Sequence, residues 1–237
     1  QIFTAGYSET GIPEAIEREK ALKMQAAGRI RIIGPNCLGV YSPRSGLAIV
    51  PESPTDEGHI SVIAQSGSVT EYFSYFAVTK NLRFSKIVSY GNAIDLDGAD
   101  FLDYLADDPD THIIAAYIEG AKDPDRLSRT LAKAARQKPV IAIKGGMTAQ
   151  GMRAASSHTA SLAGSPEIWR GVFKQTGVLQ VDSFDDMVNT VIAFDKSPLP
   201  AGNRAALVTN SGGFSVIQLD QCVNLGIQVP RFSPETI

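Results

Sequence analysis

The most reactive side chain in this sequence is the imidazole of His158, which stands among small and hydroxyl-bearing residues between positions 154 and 164. Imidazole can accept a phosphoryl group near neutral pH and pass it on, and small neighbours leave room for a bulky dianion. The pattern therefore favours a phosphohistidine site. A surface or helix-capping histidine in a polar loop is the alternative that the local sequence leaves open.

Two predicted strand-to-helix turns share a polar residue followed by serine and glycine, one after residues 60–64 and the other after residues 205–209. The glycine lets the backbone approach a ligand, and free N–H groups at the start of the following helix attract an anion. We interpret both turns as phosphate-binding sites in repeated units, with an ordinary tight turn as the alternative. The turn residues are Ser66, Gly67 and Ser68, and Ser211, Gly212 and Gly213.

The composition is that of a globular protein with interspersed charges. The chain has 237 residues, 43% of them hydrophobic, and a formal net charge of -3. There is no basic face or polybasic segment to indicate nucleic acid or an anionic membrane, so small molecules and proteins are the expected partners. No apolar run approaches the roughly 18 to 20 residues that span a bilayer. Two distant cysteines fit a reducing cytoplasm, and with three scattered histidines they give no metal-ligand spacing.

Short apolar segments alternate with helical segments along the chain, which predicts an α/β fold with a parallel, doubly wound sheet. Asp123 is expected to cap a helix that runs to about Gln137. Ser183 is expected to cap another that runs to about Phe194. The predicted strands cover residues 1–4, 30–33, 60–64, 86–89, 112–118, 140–144, 178–181 and 205–209.

Two stretches with turn-forming composition, residues 41–58 and 196–203, divide the chain into three parts. We predict the C-terminal half of one α/β domain in residues 1–57, a complete domain in residues 58–196 and the start of another in residues 197–237. The first residues look like a strand already under way, and the last strand-helix unit has no sheet of its own. We therefore interpret both ends as cut within domains.

Seven short motifs, in order along essentially the whole chain, resemble those of the NDP-forming acyl-CoA synthetases, a family related to the succinyl-CoA synthetase alpha subunit. Each motif alone is weakly specific, but their succession is not expected by chance. The motifs are Gly34-Pro35-Asn36-Cys37-Leu38-Gly39, Gln65-Ser66-Gly67-Ser68, Ser89-Tyr90-Gly91-Asn92, Tyr117-Ile118-Glu119-Gly120, Lys138-Pro139-Val140, Ser157-His158-Thr159 and Thr209-Asn210-Ser211-Gly212-Gly213.

The resemblance implies a Rossmann-like CoA-binding domain, here partial, followed by flavodoxin-like ligase domains with a parallel sheet. It implies a reaction that converts acyl-CoA, phosphate and ADP into a carboxylic acid, CoA and ATP, and the reverse, through an acyl phosphate and a phosphohistidine. It also implies an ATP-grasp module, on the same chain or on a beta subunit, in a homo- or hetero-oligomer. No ATP-grasp stretch is recognisable here, so ATP or ADP with Mg²⁺ is expected to bind only through that module.

The family's functional residues can be placed on this sequence individually. His158 matches the phosphorylated histidine, and Glu119 matches the acidic residue that orients it. A carboxylate bound to one ring nitrogen fixes the tautomer and makes the other nitrogen more nucleophilic. The two Ser-Gly turns match the phosphate-binding turns of the two ligase domains. Asn36 and Cys37 match the motif near the CoA thiol, although a small buried residue explains Cys37 better.

A module that senses CoA or acyl-CoA and regulates a fused or associated enzyme, such as an acetyltransferase, is the alternative function. Such a module would carry a degenerate histidine segment, whereas residues 157–159 and both phosphate turns are intact. The sequence therefore favours an acid–CoA ligase. Lys144 could hold a phosphate, but a lysine at a strand end is usually solvated. His59 and His112 lie in no motif and are assigned no function.

Overall fold

The computed structural model describes residues 1–48, 53–159 and 164–236. They form two compact units, Gln1–Lys196 and Ser197–Ile237. The first unit contains a six-stranded sheet and most of the helices, which confirms the α/β class. Along the described chain, no helix is long and apolar enough to cross a membrane.

The strands of the sheet lie in the order β1-β3-β2-β4-β5-β6. All neighbouring strands are parallel except β1 and β3, which are antiparallel. The carboxyl ends of the parallel strands therefore lie along one edge of the sheet. The strands are β1 (Gly39–Tyr41), β2 (Glu57–Ala64), β3 (Phe84–Ser89), β4 (Ile113–Ile118), β5 (Val140–Lys144) and β6 (Leu179–Gln180).

Side chains cap the free N–H groups at the start of several helices, those that follow Asp123 and Ser183 among them. Asp123 accepts a hydrogen bond from the Arg126 main-chain N–H at 2.9 Å, and Ser183 accepts one from that of Asp186 at 3.1 Å. Both predicted caps are thereby confirmed. The helices are α1 (Pro13–Ala26), α2 (Gly67–Thr79), α3 (Gly98–Asp107), α4 (Pro124–Gln137), α5 (Ala149–Thr159), α6 (Pro166–Thr176), α7 (Phe184–Lys196) and α8 (Gly212–Asn224).

Alternate residues of the central strand β2 pack into different layers of the core. Ile63 belongs to a cluster with residues of α3, α4 and α6, whereas Val62 belongs to a cluster with residues of α2 and α7. Successive side chains of a strand point to opposite faces, so helices cover both faces of the sheet. Polar side chains that serve a ligand must then lie at the strand ends.

Three predicted strands are not strands in the structure. Residues 1–4 and 30–33 run side by side through main-chain hydrogen bonds, and residues 205–209 follow an isolated bridge at Arg204. No further strand lies beside these segments in the described residues, and an extended segment without neighbours leaves backbone groups unpaired. Conversely, β1 is not predicted, because its three residues give too short a pattern.

Candidate active site

Three of the motifs, those that follow β2, β3 and β4, meet at the carboxyl edge of the sheet, because these strands end there in register. Ala64, the last residue of β2, lies beside Ser89 of β3 and Tyr117 of β4. Ile118, the last residue of β4, lies beside Lys144 of β5. The segments that follow these strands therefore start close together, at the edge where open α/β sheets bind ligands.

Residues 34–39, matched to the CoA thiol region, pack against the turn that follows β3. The Asn92 N–H donates a hydrogen bond to the Pro35 carbonyl oxygen at 3.0 Å. A Cβ built on Gly91 would lie 2.2 Å from the Asn36 carbonyl oxygen, and Gly91 has a φ of 52°. Only glycine allows this close approach, and it also favours this left-handed backbone conformation.

The first Ser-Gly turn forms the start of α2. Ser66 is buried and Ser68 is exposed, and their hydroxyl oxygens lie 3.1 Å apart. A Cβ built on Gly67 would lie 2.8 Å from Cγ of Leu38. The sequence predicted that this glycine lets a ligand approach the backbone. In the structure it also allows the turn to pack against residues 34–39, which we call the CoA motif.

A cavity of about 290 Å³ lies between the turn and the CoA motif. Asn36 and Cys37 border it on one side, and Ser66, Gly67 and Ser68 border it on the other. The Cys37 thiol is buried and contacts main-chain carbonyl oxygens, and burial raises its pKa. A thiol in this state is a poor nucleophile, which supports the interpretation of Cys37 as a small buried residue.

Glu119 follows β4 directly, and only 3% of the residue is exposed. Its main-chain N–H and that of Gly120 donate to Oε1 of Gln65, at 2.5 and 2.9 Å. Burial raises the pKa of Tyr117, and the charge of Glu119 and a hydrogen bond with its side chain raise it further. A Cβ built on Gly145 would lie 2.7 Å from the Tyr117 hydroxyl oxygen and 3.3 Å from Cγ of Glu119. Close packing therefore holds the Glu119 side chain in position.

Lys144, the last residue of β5, is 4% exposed, so the expectation of a solvated lysine is wrong. Its Nζ donates to the Glu119 carbonyl oxygen at 2.7 Å and to that of Gly145, and lies 5.0 Å from the centre of the Trp169 ring. Burial lowers the pKa of Lys144 to about 8, although the charge of Glu119 opposes this shift. Lys144 therefore joins the backbone of Glu119 to that of Gly145, the residue that packs against the Glu119 side chain.

The backbone of His158 lies in the last turn of α5, so the predicted polar loop is helical as far as Thr159. The His158 side chain lies outside the described residues. Ala155, one helical turn earlier, lies beside the turn after β5, where a Cβ built on Gly146 would be 3.3 Å from Cβ of Ala155. This turn includes the glycine that packs against Glu119.

The second Ser-Gly turn belongs to the unit Ser197–Ile237. Ser211 is the N-cap residue of α8, and its N–H donates to the Thr209 hydroxyl at 3.1 Å. Apart from the chain neighbours and the backbone of the same helix, no atom of the described residues lies within 4 Å of a Cβ built on Gly212 or Gly213. Unlike Gly67, these glycines are not required by packing within the described residues.

Two side chains at the carboxyl edge are not singled out as site residues by the sequence. Gln65 precedes the phosphate turn, and its contacts with Glu119 depend on two strands that are far apart in sequence. Tyr117 stands two residues before Glu119, a spacing that places both on one face of an extended segment. In the described part of the chain, no group of three or more His, Cys, Asp or Glu side chains could hold a metal ion.

The fold and this edge define an α/β ligase-type domain, and comparison with known proteins identifies its family. The model of the succinyl-CoA ligase like flavodoxin domain matches residues 57–194, more than half of the chain. The chain belongs to this family, which confirms the resemblance found in the motifs and the flavodoxin-like fold.

Three relatives are similar over essentially the whole chain. The alpha subunit of acetate–CoA ligase (ADP-forming) II from Pyrococcus furiosus is 40% identical over 100% of this chain and 51% of its own length. The acetate–CoA ligase (ADP-forming) of Methanocaldococcus jannaschii is 39% identical over 100% of this chain and 33% of its own. A solved structure of the dinucleotide forming acetyl-coenzyme A synthetase 1 of Ca. Korarchaeum cryptofilum, in complex with phosphate and ADP, is also similar. It superposes with a TM-score of 0.89 at 34% identity, and the match covers 98% of this chain and 50% of that chain. This chain therefore spans between a third and a half of these relatives.

Proposed function

We propose that this chain is the CoA-ligase core of an ADP-forming acyl-CoA synthetase. The observation that carries the proposal is the convergence of the CoA motif, the first phosphate turn and buried Glu119 at one edge of the sheet. The named relatives are ADP-forming ligases and a synthetase, which favours catalysis over an acyl-CoA-sensing module. The proposed reaction converts acyl-CoA, phosphate and ADP into a carboxylic acid, CoA and ATP.

The proposed chemistry proceeds in three transfers. A phosphate oxygen attacks the thioester carbonyl, and the CoA thiolate leaves, which yields an acyl phosphate. A ring nitrogen of His158 then attacks phosphorus, and the carboxylate leaves. The phosphohistidine finally transfers its phosphoryl group to ADP, and free imidazole returns. Each transfer is reversible, so the same steps run backwards from ATP.

Particular residues would serve these transfers. Glu119 would accept a hydrogen bond from one ring nitrogen of His158 and so make the other more nucleophilic. The N–H groups at the start of α2, with Ser66 and Ser68, would hold phosphoryl oxygens as charge is redistributed. The turn at Ser211 would do so in the second ligase domain, and Asn36 with Cys37 would border the thiol end of CoA.

The proposed enzyme is incomplete without a nucleotide site. We assign ATP or ADP and Mg²⁺ to an ATP-grasp segment or beta subunit, as the resemblance to the family implies. Residues 1–57 would complete a CoA-binding domain, and residues 197–237 would begin a second ligase domain. A cytoplasmic homo- or hetero-oligomer is the corresponding assembly.

Phosphorylation of His158 tests this function directly. The full-length protein, with its ATP-grasp segment or subunit, is incubated with γ-labelled ATP and magnesium beside a His158→Ala variant. We expect acid-labile, alkali-stable label that is chased by ADP and absent from the variant. A His112→Ala variant is the matched control, since this exposed histidine lies outside the proposed site and should retain full labelling. Label that persists in His158→Ala, or fails to form in the unmodified protein, would exclude this carrier.

A further inference from the structure

We propose that Gln65 contacts the substrate, and that its side-chain NH₂ group donates a hydrogen bond to a phosphoryl oxygen bound at the turn formed by Ser66, Gly67 and Ser68. The inference rests on the proposed function for the identity of the ligand. It assigns a role to a residue that lies in one of the motifs but has no function assigned to it above. Three observations carry it: the burial of Gln65, the fixed orientation of its amide, and the cavity it borders.

The orientation of the Gln65 amide is set by its partners. The residue is 7% exposed, and its Oε1 accepts hydrogen bonds from the main-chain N–H groups of Glu119 and Gly120. These two N–H donors identify the nearer atom of the amide as its oxygen. In the flipped orientation the amide NH₂ group, itself a donor, would face both of them. The NH₂ group must therefore point away from these two N–H groups.

The NH₂ group is available to a ligand. It donates no hydrogen bond to any described residue, and among those residues no fully buried side-chain nitrogen or oxygen lacks a partner. The group is therefore open to a cavity and not sealed in the interior. Gln65 borders two cavities, of about 290 and about 30 Å³. The smaller has room for only one or two waters, so we place the ligand in the larger, beside the phosphate turn.

The chemistry of the larger cavity fits a phosphoryl group. Its wall includes the start of α2, where free N–H groups favour an anion, and the hydroxyl groups of Ser66 and Ser68. Glu71 also borders this cavity, and its carboxylate would oppose an anion. A neutral amide held by two main-chain N–H groups adds a preorganised donor to the turn.

Two substitutions separate ligand contact from a purely structural role. Gln65→Glu retains an acceptor for the Glu119 and Gly120 N–H groups but replaces the NH₂ donor with a negatively charged oxygen. Gln65→Met removes both functions without adding charge. A structural role alone predicts that Met is more damaging than Glu, whereas ligand contact predicts that Glu is at least as damaging as Met. Gln137→Glu, an exposed position on α4, controls for the change in charge.

The first measurement is calorimetric binding of inorganic phosphate to the full-length protein with its ATP-grasp segment or subunit. We expect Gln65→Glu to weaken phosphate binding by about 10- to 100-fold, the usual effect of losing a hydrogen bond to a charged group. Gln65→Met should weaken it by no more than this, and Gln137→Glu should bind as the unmodified protein does. In the acyl-CoA reaction, the KM for phosphate should rise in Gln65→Glu while the KM for ADP stays unchanged.

The outcomes separate the two proposals. Unchanged phosphate binding in Gln65→Glu, or no binding to the unmodified protein, would overturn the role of Gln65 while leaving His158 labelling to decide the function. Greater loss in Gln65→Met than in Gln65→Glu would reduce Gln65 to a structural role. If phosphate binding depends on Gln65 but no phosphohistidine forms, the ligand contact stands and the proposed reaction fails.

Discussion

At the opposite, amino edge of the sheet, where the parallel strands begin, ionisable side chains are paired with each other. Nζ of Lys86 lies 2.7 Å from Oδ2 of Asp108, and Nε2 of His59 lies 2.6 Å from Oδ1 of Asp195. A cavity of about 360 Å³ lies at this edge, and His59, His112 and Lys86 border it. Several of its polar groups are already paired with each other, so this cavity offers a ligand few groups without partners.

At the carboxyl edge, the side chains of Gln65 and Lys144 are instead held by main-chain groups, although Arg126 pairs with Asp100 at the start of the helices there. Gln65 accepts hydrogen bonds from two backbone N–H groups, and Lys144 donates to two backbone carbonyl oxygens. These contacts fix the two side chains through backbone groups. We infer that the paired charges around Asp108 serve stability and that the carboxyl edge binds the ligand of the proposed function.

The largest expected effect is on activity at the carboxyl edge. Glu119→Gln preserves the shape of the side chain but removes the charge that would orient His158. We expect phosphorylation of His158 to slow by about 100-fold or more, with little change in melting temperature. Rapid-quench labelling with γ-labelled ATP measures the rate. Glu167→Gln, an exposed change on α6, should label normally, and normal labelling of Glu119→Gln would remove Glu119 from the site.

At the amino edge, the corresponding change should affect stability and not chemistry. Burial would raise the pKa of Asp108, but hydrogen bonds from Lys86 and Thr111 outweigh it and lower the pKa. Asp108→Asn removes the nearest carboxylate from the half-buried Lys86 cation, whose Nζ keeps Ser85 Oγ at 3.1 Å and Oδ2 of Asp110 at 3.9 Å. Losing a hydrogen bond to a charged group costs about 1.5–3 kcal/mol. The unfolding free energy should fall accordingly, while the labelling rate of folded protein stays unchanged.

Asp107→Asn is the matched control for that stability effect, because Asp107 is exposed and pairs with Lys133 at the surface. Surface pairs contribute little, so its unfolding transition should be close to that of the unmodified protein. Equal effects at both positions, or slower labelling in folded Asp108→Asn, would contradict the separation of the two edges.

The sequence predicted the central strands well because buried parallel strands are continuous apolar runs, as residues 113–118 and 140–144 illustrate. The two Ser-Gly turns illustrate its limit. Their local patterns are alike, yet Gly67 packs against Leu38, whereas the described residues leave open space around Gly212. That difference depends on which segments meet in three dimensions, and local patterns do not contain this information.

Part of the candidate site could be chosen from the sequence, but its supporting contacts could not. Glu119 was selected through its motif and its place after a strand, and the structure places it at the carboxyl edge. Its role and that of His158 stay predictions. Gln65 and Lys144 reach the Glu119 backbone from two other strands, so their importance becomes visible only when the sheet is assembled.

The smallest predicted effect is a pH dependence of stability from Lys144. Its pKa is about 8 in the folded protein, below the usual value of 10.5, because the charged form is buried. Between these values the unfolded chain binds a proton that the folded chain has released, so stability rises with pH across this window. Relative to Lys144→Met, the unmodified protein should gain about 2 kcal/mol as pH rises from 7 to 9.5. Melting temperatures of both proteins at pH 7 and 9.5 measure this gain, and the exposed Lys174→Met should show none. If the difference in melting temperature between the unmodified protein and Lys144→Met is the same at both pH values, burial does not lower the pKa of Lys144. The carboxyl edge would then be as well solvated as the amino edge.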